Sequence, residues 1–183
     1  ELIEPLYREQ VEALDAYVDL FICETMSTIE EAVTAASVAI ESGKPVLVGL
    51  TLHDERAAHL RSGESIQAAI DSLIQLSVDG LLANCCLPER ISDAMPIIAS
   101  GGFKYRGGYA NAFTHVPEGW LLDGSKENDG SLTLREDLTP DRYCDYAVNW
   151  IKKGANIVGG CCGTTAAHIR AISESLTRET SPG

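Results

Sequence analysis

Four of the six cysteines form two vicinal pairs, Cys85-Cys86 and Cys161-Cys162, while Cys23 and Cys144 stand alone and no Cys-x-x-Cys occurs. A thiolate is both a soft-metal ligand and a nucleophile, so the placement of these residues bears first on chemistry. Without a Cys-x-x-Cys, zinc ribbons and thioredoxin-like redox motifs are excluded. Cys85 closes the apolar run VDGLLANC, and Cys161-Cys162 close ANIVGGCCG, so each falls where a strand should end. Neighbouring residues in a regular strand point to opposite faces, and a vicinal pair can share one ion only where the backbone turns out of the strand. Gly159, Gly160 and Gly163 are placed to permit such a turn. Cys85, Cys161 and Cys162 together would hold Zn²⁺ through three sulfurs and leave one tetrahedral position free, the arrangement of catalytic rather than structural zinc. A thiol arriving at that position would be deprotonated. The competing reading makes these residues small buried hydrophobes, and spacing alone does not separate the two. Cys86, directed away from Cys85 by the alternation, reads as packing, and Cys23 and Cys144 as buried.

The elements that must carry these residues are marked by periodicity. VDLFICET, PVLVGLTL, VDGLLANC, YRGGYANAF and ANIVGG are strand-length apolar runs separated by longer amphipathic stretches, the pattern of repeated βα units around a parallel sheet. Helix starts are expected at a Ser27/Glu30 capping box, at Ser62 and at Thr139-Pro140, and helix ends at Gly43 and Gly154. AYVDL, SVDGL and GANIV each lead from a helix into a strand, a weak repeat that favours a (β/α)8 TIM-type barrel over an open sheet. About five units are visible where closure takes eight, so residues 1–183 read as a single barrel domain, N-terminally incomplete, holding the last five or so βα units. The polar segment 113–138 lies after the fourth strand, on the face where barrel active sites sit.

Bulk properties narrow the partners. A formal net charge of −13 on 183 residues repels phosphate backbones and anionic membranes, which argues against nucleic acid and lipid. The longest apolar runs fall short of a membrane span, and ELIEPLYREQ lacks the features of a signal peptide, so a cytoplasmic location is expected.

The motifs, taken in order, resemble those of the homocysteine S-methyltransferase family: YREQVEAL, VDLFICET, Gly49-Leu50-Thr51, the SGES of residues 62–65, Asn84-Cys85, Tyr109-Ala110-Asn111 and GGCCGT at 159–164. Ala110 stands where the family usually has proline, and Ala166-Ala167 replace its common proline-glutamate. The resemblance implies a zinc-bearing barrel that moves a methyl group from a small activated donor to the thiol of homocysteine, giving methionine. It also implies that Glu24 binds the amino group of homocysteine and that Asn111 lines the site or occupies the open metal position. The same residues have plainer uses, Glu24 beside a helix N-terminus and Asn111 in a strand-end turn. Tyr109 and Trp120 could wall off a cationic donor, and a sulfonium donor is the favoured expectation. His53 could approach the mouth but is not needed as ligand or base.

Two other readings stand beside this one. An inactive zinc-binding barrel fragment would associate with itself or another chain through its open strand edges, without catalysis. A thiol redox protein using Cys161-Cys162 is disfavoured, because adjacent cysteines lack the Cys-x-x-Cys geometry.

Overall fold

The computed structural model describes residues 3–115 and 132–180. Helix α1 (Glu4–Leu14) precedes five βα units: β1 (Phe21–Met26) with α2 (Ile29–Ile40), β2 (Val46–Leu50) with α3 (Ile66–Ile74), β3 (Gly80–Asn84) with α4 (Pro88–Ser100), β4 (Tyr105–Ala110) with α5 (Pro140–Lys152), and β5 (Ile157–Gly160) with α6 (Ala166–Thr180). The strands form one parallel sheet in the order β1-β2-β3-β4-β5. A doubly wound sheet reverses its strand order part-way, whereas a sheet in sequence order with a helix after each strand is a run of a TIM barrel. All five expected strands are present, and the fold is the expected α/β type.

Strand register divides the side chains between two faces. Phe21, Val46, Val48, Leu50, Leu81 and Ala83 pack under the helices with Ala32, Ala35, Ile70, Ile91, Met95, Tyr143 and Trp150 in the main core. The alternate positions line the inner face, where Ile22 pairs with Leu47, Leu47 with Gly80, Gly49 with Leu82, Asn84 with Tyr109 and Tyr109 with Gly159. Leu47 and Leu82 are buried there although they lie outside the helix-side cluster.

Two of the three expected helix starts differ in detail from the sequence reading. The N-cap of α2 is Thr28, whose hydroxyl accepts from the Glu31 N–H at 3.0 Å, while the Glu31 carboxylate accepts from the Ser27 N–H at 3.1 Å. This reciprocal box sits one residue beyond Ser27/Glu30, because Thr28 is the residue with extended cap geometry. Helix α3 is capped by Ser65 rather than Ser62. The intervening residues are taken up by an irregular arm bridging Leu52 to Leu60 and His59 to Ser65. Thr139 caps α5 as expected, accepting from the Arg142 N–H, and Gly43 and Gly154 adopt positive φ at the ends of their helices.

Candidate metal centre

The three cysteines meet at the C-terminal end of the sheet. Cys85 follows the last residue of β3 and adopts φ +52, a left-handed turn that takes it out of the strand. Thr51, itself buried, donates its hydroxyl to the Cys85 carbonyl at 3.3 Å, and the Cys85 N–H donates to the Tyr109 carbonyl at 3.1 Å. Past β5, the Cys161 N–H donates to the Ala110 carbonyl, and the Thr164 N–H and hydroxyl both donate to the Cys161 carbonyl, closing a tight turn. Of the three glycines singled out in the sequence, Gly163 alone carries positive φ (+78). Gly159 and Gly160 continue the strand, and at Gly160 a side chain would collide with Thr164.

Cys85 Sγ lies 3.9 Å from Cys162 Sγ, and Cys161 Sγ lies 3.7 Å from Cys162 Sγ. All three sulfurs fall within 4.8 Å of one another. The edge of a tetrahedron with zinc–sulfur bonds of about 2.3 Å is about 3.8 Å, so the spacing suits one ion ligated by three thiolates. It is far beyond the roughly 2.0 Å of a disulfide bond. Protons are shared unevenly in the trio: the hydrogen bond from the Cys85 thiol brings Cys161 down to about 6. Cys85 is pushed up by that same contact with Cys161 and by burial, and Cys162 is pushed up by burial and by the charge on Cys161. Within the trio Cys161 is thus the thiol most readily ionised, with Cys85 and Cys162 shifted the other way. Cys86, one residue from Cys85, is fully buried in the helix-side core, and burial drives its thiol up to about 12. Cys23 and Cys144 are half-buried rather than buried. Burial raises Cys23 to about 11, and Cys144 donates to the Ala171 carbonyl.

Glu24 projects from β1 on the inner face, exposed, and its Oε2 accepts from the Tyr109 hydroxyl at 3.1 Å. Its charge also works against ionisation of Cys161, which places it beside the sulfur cluster. Burial and this carboxylate raise the Tyr109 hydroxyl well above its usual range, so it stays a donor. Asn111 is buried, and its side-chain oxygen accepts from the Phe113 N–H at 3.2 Å, the hydrogen bond of a strand-end turn. His53 is engaged in its own loop, where Nδ1 accepts from the Glu55 and Arg56 N–H groups. Trp120 and residues 116–131 of the expected loop lie outside the described residues.

Three contacts were not read from the sequence. Tyr143 of α5 reaches the junction of β4 and β5, where its hydroxyl donates to the Gly159 carbonyl at 2.8 Å and accepts from the Ala110 N–H at 2.9 Å. Asn84 is fully buried and bonds to Thr25 of β1 through both ends of its amide. Thr51 holds the Cys85 carbonyl. A polar residue ending an otherwise apolar strand was the available signal for Asn84; a hydroxyl on an amphipathic helix gave no pointer to its target.

Known proteins resemble this chain in sequence and in fold. The family model for homocysteine S-methyltransferase matches residues 1–176. The S-methylmethionine-homocysteine S-methyltransferase BHMT2 of Pongo abelii is 29% identical over 192 residues, covering 97% of this chain and 50% of that protein. A selenocysteine methyltransferase of Astragalus bisulcatus is 27% identical, covering 100% of this chain and 52% of that protein. The chain therefore spans about half the length of these curated relatives. Among solved structures, the apo form of the Escherichia coli homocysteine methyltransferase MmuM superposes with a TM-score of 0.70 at 26% identity, covering 94% of this chain and 56% of that one. The metallated form of the same enzyme shares the fold with a TM-score of 0.68. On the match of the family model to nearly the whole chain, this protein belongs to the homocysteine S-methyltransferase family.

Proposed function

We propose that this chain carries the thiol-binding part of a zinc-dependent methyltransferase that converts homocysteine to methionine. The observation that carries the reading is the set of three sulfurs, from the ends of β3 and β5, at the 3.7 and 3.9 Å separations of a zinc–thiolate tetrahedron. Cys85, Cys161 and Cys162 would hold the ion. Zinc, once bound, keeps an incoming thiol deprotonated at neutral pH. Glu24, beside the cluster and fixed by Tyr109, pairs with the α-ammonium group of the amino acid and so orients its sulfur. Asn111 borders the site through the turn after β4 and contacts the acceptor there.

The acceptor sulfur forms the new S–CH₃ bond as the bond from methyl to donor breaks. The donor keeps that electron pair, and the acceptor's thiol proton passes to solvent. A sulfonium donor leaves as a neutral thioether, and S-methylmethionine, named for the Pongo abelii relative, is the donor we favour.

The test is calorimetric titration of the zinc-loaded chain with homocysteine, followed by an assay of methionine formation with S-methylmethionine. Glu24→Gln removes one charge-assisted contact of about 1.5–3 kcal/mol and should weaken homocysteine binding by about 10- to 150-fold with zinc retained. Unchanged affinity in that variant contradicts the role given to Glu24.

A second reading rests on the sheet edges. Among the described residues β1 and β5 each pair on one side only, and Tyr17 and Ile22 near the β1 edge are 85% and 47% exposed. Such edges suit self-association of a zinc-binding fragment without turnover. A zinc-loaded dimer that binds no homocysteine would favour it.

A further inference from the structure

The carboxylate of Glu24 is held by an arrangement that its own strand does not supply. Cys23 of β1 pairs with Val48 and Met26 with Leu50, so three steps along β1 stand against two along β2. Glu24 and Thr25 occupy that bulge. Bulges re-aim side chains next to binding sites, and this one also places Thr25 at φ +65, a left-handed conformation that a β-branched residue rarely adopts.

The compensation comes from two strands away. Asn84, at the end of β3 and fully buried, accepts from the Thr25 N–H through Oδ1 at 2.9 Å and donates from Nδ2 to the Thr25 hydroxyl at 2.8 Å. Its reach depends on a gap in β2. A Cβ on Gly49 would lie 2.8 Å from Asn84 Oδ1 and 2.9 Å from the Tyr109 hydroxyl. Two side chains thus cross β2 over one glycine: Asn84 fixes the backbone just after Glu24, and Tyr109 fixes the carboxylate itself.

We infer that Asn84 is a positioning residue for Glu24, holding Thr25 in its left-handed conformation so that the site prefers acceptor thiols bearing an α-ammonium group. This rests on the proposed role of Glu24 in acceptor binding. Asparagine suits the task because one amide offers the acceptor and the donor that Thr25 requires, without adding a buried charge beside a carboxylate.

The experiment compares two probes on the zinc-loaded chain, homocysteine and γ-mercaptobutyrate, the same thiol acid without its amino group. In Asn84→Ala, homocysteine affinity should fall at least about tenfold, the loss of one charge-assisted contact. Zinc content and γ-mercaptobutyrate affinity should stay unchanged, which a general loosening of the site would not allow. Adding Thr25→Gly to Asn84→Ala should restore most of the lost affinity, because glycine takes positive φ without a brace. Equal weakening of both thiols, or no rescue by Thr25→Gly, overturns the inference. If the unaltered chain binds neither thiol, the acceptor reading itself has failed, and crystal structures of the two variants decide the positioning role. Glu24 parting from Tyr109 in Asn84→Ala but not in the double variant supports it, and an unmoved Glu24 overturns it.

Discussion

Replacing Cys161 with alanine removes one of three sulfurs that lie within 4.8 Å of one another, and it removes the one most ionised at neutral pH. Zinc bound by four protein ligands is worth about 10–16 kcal/mol at pH 7. Shared evenly, that is about 2.5–4 kcal/mol per ligand, so Cys161→Ala should weaken zinc binding by about 10²- to 10³-fold. The control is Cys86→Ala, a buried cysteine just past the end of β3 with its thiol in the helix-side core. It should lower stability through lost packing and leave zinc affinity unchanged. Competition against a chromophoric chelator, with the metal-to-protein ratio after desalting, measures both. The pH dependence adds a second arm. Zinc requires three thiolates; with Cys161 lowered to about 6 and Cys85 and Cys162 raised, binding near pH 7.5 displaces protons from the latter two. The logarithm of affinity should therefore rise by about two per pH unit around neutrality, steepening towards about three where Cys161 also takes up its proton. Zinc held equally well by Cys161→Ala, or lost equally by Cys86→Ala, would refute the assignment of ligands.

Tyr143→Phe removes the hydroxyl that joins the buried Ala110 N–H to the half-buried Gly159 carbonyl, leaving both groups without that partner. Urea unfolding of the zinc-free chain should show a loss of about 1–3 kcal/mol, and a loss near zero would mean that water takes over the junction. Arg135 donates to both oxygens of Glu89 at 2.9 Å, and the Tyr146 hydroxyl donates to one of them at 2.6 Å. Burial acts to raise the Glu89 carboxyl, but these donors outweigh it and hold the group below the usual range. A depressed carboxyl adds stability above the unfolded value of about 4.3 and loses it as pH falls through the folded value. Glu89→Gln should therefore destabilise the protein at pH 7, on the order of 1 kcal/mol after solvent screening, and flatten its acid unfolding curve. An acid transition identical to that of the unaltered chain would show that other carboxylates govern it.

The sequence by itself determined the strands and the placement of the sulfurs. VDLFICET, PVLVGLTL, VDGLLANC, YRGGYANAF and ANIVGG are local patterns of apolar residues, and each became a strand because burial of such a run is decided over a few residues. Cys85, Cys161 and Cys162 were legible as a group because each follows a strand end, and parallel strands in sequence order bring those ends to one rim. The exact caps were less legible, since Ser27 and Thr28, or Ser62 and Ser65, offer the same chemistry and the path of the backbone selects between them. Tertiary structure alone decided how the site is braced. Asn84 and Thr25 lie 59 residues apart, Tyr109 and Glu24 lie 85 apart, and both contacts pass over Gly49. No pattern within one segment encodes them, because a hydrogen bond between distant strands depends on register and on the space a third strand leaves between them.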